Sequence, residues 1–153
     1  MKGRQKRKKT VVNNLLRKEN WELEAIRSDN HRAQQLLDAQ NEALARIDQT
    51  LETAYSDLRR LMDDKNALKI DQLHQARLYV EKITQERVAC KTQQKRMHSE
   101  AEKISTQLRQ KMLYAKGLEA VQSDSNRNLL QEREKTEFRD QEELWVQRNG
   151  NRE

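Results

Sequence analysis

The sequence predicts an all-α protein: two long helices forming an antiparallel coiled-coil hairpin, with the second helix longer than the first. Three observations carry this. The composition is wrong for a wide globular core, with hydrophobic residues at 34% and charged residues at 37% of 153, against roughly 45–50% and about 25% in typical soluble domains. Turn formers are scarce, with no proline and three glycines, which excludes sandwiches, barrels and βαβ folds that depend on many special backbone angles. Apolar residues also recur on an alternating four–three spacing through most of the chain, the signature of a coiled-coil seam. A disordered chain would hold no such register.

Residues 1–10 read as a basic flexible arm. Lys2, Arg4, Lys6, Arg7, Lys8 and Lys9 carry the whole net charge of +6, because from Thr10 onward 25 Lys and Arg balance 25 Asp and Glu. A basic-zipper region would continue as a base-reading helix with an asparagine and an arginine at fixed spacing. Here the cluster holds Gly3 and gives way to Val11-Val12-Asn13-Asn14-Leu15-Leu16. A solvated tail is the preferred reading, ahead of weak, salt-sensitive phosphate contact or a nuclear import signal. No apolar run reaches the ~18 residues of a membrane span, and the segment after the arm is too short for a signal-peptide core.

Helix 1 is placed at 11–63. Its seam runs Val12, Leu16, Glu19, Leu23, Ile26, Asn30, Ala33, Leu37, Gln40, Leu44, Ile47, Leu51, Ala54, Leu58 and Leu61, of which twelve of fifteen are apolar. A turn follows at 64–67, where Asp63-Asp64-Lys65-Asn66 breaks the phase with short polar side chains that favour caps and turns. Helix 2, at 68–118, carries an independent seam: Leu73, Ala76, Val80, Ile83, Arg87, Cys90, Gln94, Met97, Ala101, Ile104, Leu108, Lys111, Ala115 and Leu118. Arms of about 50 residues would each be about 75 Å long. The pairing then runs out, so residues 119–148 are expected as a helical overhang and 149–153 as a disordered tail. Gly117 sits at that transition, where glycine costs ~1 kcal/mol relative to alanine and loosens a helix.

Charge supports the hairpin independently. Residues 19–57 hold nine acids and three bases, a net of −6, while residues 74–112 hold nine bases and four acids, a net of +5. Folding about Lys65 and Asn66 sets these blocks against each other, and flanking charges choose partner and orientation in coiled coils. The same pairing puts Gln40 level with Cys90 and Gln94, and Arg87 near Leu44. Polar seam residues of this kind fix register at a cost in stability.

The residues offer no catalytic chemistry. There is no phosphate-cradling glycine loop and no two-cysteine metal pair; His31, His74 and His98 are scattered and read as surface histidines. The lone Cys90 excludes an intramolecular disulfide, fits a reducing compartment, and occupies a seam position as a small buried hydrophobe. A two-helix rod lacks a water-excluding cleft. The expectation is no enzyme, with no catalytic residue, cofactor or metal. Partner docking is the expectation for apolar residues off the seams: Trp21, Leu113 and Tyr114, which the pairing places at one level, and Leu129, Leu130, Phe138, Leu144 and Trp145 on the overhang.

The chain resembles the small stalk proteins of type III secretion, the FliJ type of the flagellar export apparatus and the YscO type of injectisomes. The likeness covers most of the chain: its length, two long heptad arms, and a charged ending reading Asn126-Arg127-Asn128-Leu129-Leu130-Gln131-Glu132-Arg133-Glu134-Lys135, then Phe138-Arg139-Asp140-Gln141-Glu142-Glu143-Leu144-Trp145. The resemblance implies a cytoplasmic, non-enzymatic stalk, peripheral to the inner membrane through the export apparatus. Its implied partners are a hexameric export ATPase, the cytoplasmic domain of the export gate, and secretion chaperones. It implies no specific nucleic acid, no membrane span, and a monomeric hairpin in preference to a homodimer. The rival reading is a generic coiled-coil scaffold or tether dimerising through its heptads; a nucleic-acid binder using the basic arm ranks third.

Overall fold

A computed structural model describes residues 2–63 and 70–151. Two helices account for almost all of them: α1, Lys2–Asp63, and the longer α2, Ile70–Gly150. They pack together, and no strand occurs among the described residues. Helix α1 is described as far as Asp63; the turn expected at 64–67 lies outside the described residues.

The predicted seams are the inward stripes. All fifteen seam positions of α1 and all fourteen of α2 are buried or half-buried, while most residues between them are exposed. The buried hydrophobic set is small in size as well as number: Val12, Leu16, Leu23, Leu37, Ala54, Val80, Ile83, Cys90, Ala101 and Ala115. No large side chain is fully buried among the described residues. A four–three stripe touches its partner along one line, so each seam residue keeps one edge in water.

The chain forms two compact units. Unit 1 comprises Met1–Ala25 with Leu108–Glu153, and unit 2 comprises Ile26–Gln107. In unit 2, Gln40 Nε2 donates to the Cys90 carbonyl at 3.1 Å and contacts Cys90 Sγ at 3.2 Å. Gln94 Nε2 donates to Asn41 Oδ1 at 2.7 Å, and Arg87 Nε meets Asp48 Oδ1 at 2.5 Å. Gln40 is therefore level with Cys90 and Gln94, as the pairing requires. Arg87, expected near Leu44, extends one turn further to the Asp48 carboxylate, where its charge finds a counter-ion. In unit 1, Gln122 Nε2 donates to Asn13 Oδ1 at 2.7 Å, and Lys111 hydrogen-bonds Glu22. The partner's number falls from 122 at Asn13 to 111 at Glu22 in unit 1, and from 94 at Asn41 to 87 at Asp48 in unit 2.

Two expected boundaries are corrected. The basic segment expected as a flexible arm is helical over residues 2–10, which belong to α1. Lys, Arg and Gln are good helix formers, Gln5 and Lys9 continue the seam phase and are half-buried, and Thr10 Oγ1 donates back to the Lys6 carbonyl at 3.0 Å. No acidic residue sits in the first turn of α1, so this end lies unfavourably on the helix dipole and is held by its partner helix. Correspondingly, pairing does not stop at Leu118. The half-buried stripe of α2 continues through Gln122, Ser125, Leu129, Glu132 and Thr136, and only from residue 137 is every position exposed. The overhang is thus the shorter segment 137–150, and it is helical through residues 149 and 150, which were assigned to a disordered tail.

Gly117 does not interrupt α2, and its φ is not positive. A Cβ built there meets no atom within 4 Å. Gly117→Ala should therefore stabilise the protein by about 0.5–1 kcal/mol through the unfolded chain's lost entropy, read as a higher midpoint in urea followed by circular dichroism. Truncating a seam residue should do the opposite: Leu16→Ala lowers that midpoint by the equivalent of about 2–3 kcal/mol, while Leu113→Ala on the exposed face stays within about 0.5 kcal/mol.

Candidate docking surface

Seven of the eight apolar residues singled out for docking are solvent-facing: Trp21 (73% exposed), Leu113, Tyr114, Leu130, Phe138, Leu144 and Trp145 (67%). Leu129 is the exception. It continues the four–three phase from Ser125 and is half-buried against α1, because the basic arm that was expected to be a free tail is a packed helix at that level.

Not all seven belong to one surface. The Lys111 contact to Glu22 confirms that Trp21 and Leu113 share a level. Each, however, lies two residues from seam positions on either side, Glu19 and Leu23 for Trp21, Lys111 and Ala115 for Leu113. A two-residue step turns a helix by about 200°, so both side chains point directly away from the partner helix, on opposite outer faces of unit 1. They do not form a patch.

A different surface does. A depression lined by Gln5, Lys8, Ser125 and Asn128 shows that the Lys8 flank of α1 adjoins the Asn128 flank of α2. On α1 this flank continues as Lys8, Val11, Leu15 and Lys18; on α2 it continues by sevens as Asn128, Val121 and Tyr114. Val11, Leu15, Val121 and Tyr114 are 57%, 37%, 39% and 52% exposed, and the Gly117 position between Val121 and Tyr114 is open. The result is a shallow apolar groove on whose α1 side the same phase places Arg4, Lys8 and Lys18, with no acid in residues 1–18. The opposite flank, where Asn13, Arg17 and Asn20 meet Glu119 and Gln122, is polar. Val11, Leu15 and Val121 escaped sequence reasoning because single off-seam hydrophobes are ordinary on any surface. Only the packing of α1 on α2 collects them.

Beyond the groove, residues 137–150 form a helix with no cover. Phe138 and Trp145, seven residues apart, share a face, with Leu144 and Val146 beside them, all exposed. Acids surround them: Glu137, Asp140, Glu142 and Glu143, against Arg139 and Arg148.

The electrostatic anchor of unit 1 is Lys111. Its ammonium hydrogen-bonds Glu22 and lies 3.5 Å from Glu19 Oε2; the latter exceeds the usual 2.7–3.2 Å of an N–H···O bond and acts as a charge contact. Glu19 is 9% exposed, so this cation offsets a carboxylate in the seam. The Lys111 hydrogen bond lowers the Glu22 pKa, and the same bond raises that of Lys111. A lowered carboxylate stabilises the fold above its unfolded-state pKa and loses this as pH falls; a raised amine stabilises below its unfolded-state pKa and loses this as pH rises. The anchor therefore operates across neutral pH.

Other chemistry is sparse. His98 Nε2 lies 3.8 Å from Glu102 on its own helix, and no group of three His, Cys, Asp or Glu among the described residues is placed to hold a metal ion. No described helix is long and apolar enough to cross a membrane. Compared with known proteins, the chain matches no family model, no curated protein and no solved structure.

Lys111→Met should lower the thermal midpoint at neutral pH by leaving Glu19 and Glu22 as neighbouring like charges. That deficit should shrink on acidification from about pH 7 to about pH 3, as Glu22 protonates and the native chain loses its pair with Lys111. A deficit that stays constant with pH would show that Lys111 acts through its methylenes alone.

Proposed function

We propose that this chain is a non-enzymatic stalk and adaptor of a bacterial type III protein export apparatus. It is an antiparallel coiled-coil hairpin that binds the hexameric export ATPase in the cytoplasm and links it to the export gate and to substrate chaperones. The observation that carries the reading is the division of apolar surface. The seam positions of both helices are spent on each other, whereas Phe138, Leu144 and Trp145 on the α2 tail have no cover. A protein of this kind can present an aromatic-rich helix end to a larger partner while its own fold stays closed.

The coiled-coil assignment is supported by the unbroken four–three burial on both helices, and the antiparallel sense by cross-helix pairs such as Asn41–Gln94 with Asp48–Arg87. A scaffold that dimerises through its heptads is less favoured, because those heptads are already occupied within one chain. A nucleic-acid role for the basic α1 end has no aromatic or base-reading side chain to support it beyond charge.

The test is co-purification of the full chain with the export ATPase of its own operon and measurement of ATP hydrolysis. A complex and a changed hydrolysis rate are expected for the native chain, with both effects reduced at least about tenfold for the double variant Phe138→Ala, Trp145→Ala, as for loss of a buried aromatic anchor. No complex and an unchanged rate would overturn the reading.

A further inference from the structure

We infer that, in the free protein, the acidic 137–150 tail of one copy docks in the basic apolar groove of a second copy, giving a reciprocal dimer. This does not rest on the export reading.

Four features of unit 1 point to that occupant. The first is charge. The tail has four acids against two bases, whereas the α1 flank of the groove carries Arg4, Lys8 and Lys18, and residues 1–18 hold no acid. The second is length. The exposed tail of 14 residues is about 21 Å long and the groove from Arg4 to Lys18 about 22 Å.

The third is spacing. Arg4, Lys8, Val11 and Leu15 recur at steps of four, three and four; Phe138, Glu142 and Trp145 recur at the same steps of four and three. One alignment thus seats Phe138 over the Arg4 guanidinium, Glu142 against Lys8 and Trp145 against Val11. That is a cation–π contact, an ion pair and an apolar contact in succession.

The fourth is reach. The tail continues α2 without a break past the level where α1 starts, so it cannot bend back into its own groove. Two copies related by a two-fold axis near the α1 N-termini place each tail along the other's groove, and the contact closes on itself. An anionic membrane would suit the cations and Val11 but repel the adjoining acidic tail, so a second copy fits better. The apolar area on offer, Phe138, Leu144, Trp145 and Val146 on one side with Val11, Leu15, Val121 and Tyr114 on the other, suits a reversible dimer rather than an obligate one.

Sedimentation equilibrium of the full chain tests this. A monomer–dimer equilibrium is expected, weakening as salt is raised, with a blue shift of Trp145 emission on dimerisation in a Trp21→Phe background. Trp145→Ala should weaken the dimer about tenfold or more, and truncation after Thr136 should abolish it, with helicity per residue unchanged for both. Lys8→Glu alone should weaken dimerisation, and combining it with Glu142→Lys should restore it, an outcome that a structural role for Lys8 would not produce. A chain monomeric at every concentration would overturn the proposal, as would a dimer indifferent to loss of the tail. So would a monomer that binds phosphatidylglycerol vesicles through Val11 and Leu15.

Discussion

Everything in this structure depends on one narrow contact, the four–three stripe along which α1 and α2 bury each other's side chains. Neither helix has another source of stability. Mean composition is too polar for a second core, and helices of this kind draw most of their stability from a packed face rather than from intrinsic propensity. The stripe is thin, and many of its Leu and Ile side chains are only half-buried, so stability accrues in small increments along its length. That arrangement also explains why helix extends wherever the phase can continue, even through Gln5 and Lys9 on α1 and Ser125 and Thr136 on α2.

A stripe of small apolar residues is a poor judge of register, since sliding by seven residues replaces one Leu by another. Polar groups supply the discrimination. Gln40 reaches the Cys90 carbonyl, Arg87 reaches Asp48, Gln94 reaches Asn41, and Lys111 lies between Glu22 and Glu19. Of these, the Gln40–Cys90 and Lys111–Glu22 pairs are part-buried, where a group that loses its partner is not freely re-solvated. A polar group stranded without its partner costs more than the hydrogen bond gains, so these contacts act chiefly against wrong alignments. The opposed charges of the two helix blocks work in the same direction, weakly and over a longer range.

Where the stripe ends, the surface changes character. At the α1 start, cations crowd one flank of a shallow apolar groove; at the α2 end, an acidic helix carries Phe138 and Trp145 into solvent. Closing the fold on a single line leaves these ends chemically opposite and free of intramolecular cover. The stalk reading and the reciprocal dimer draw on the same tail, so a partner engaging Trp145 would compete with self-association.

The sequence by itself determined the helical class, the two seams to the residue, and the level of Gln40 with Cys90. All of these follow from a periodicity strong enough to survive six polar interruptions. It also marked Phe138, Leu144 and Trp145, because aromatics among acids with no seam partner stand out in any register. It did not determine how far the pairing runs. Gln5, Lys9, Gln122 and Glu132 carry no apolar signal, and their burial depends on a partner helix being alongside, through contacts such as Asn13–Gln122. Nor could it assemble the groove or separate Trp21 from Leu113. Periodicity gives each residue an angle about its own helix axis, whereas a shared surface depends on how two axes are set against each other, and only the tertiary packing decides that.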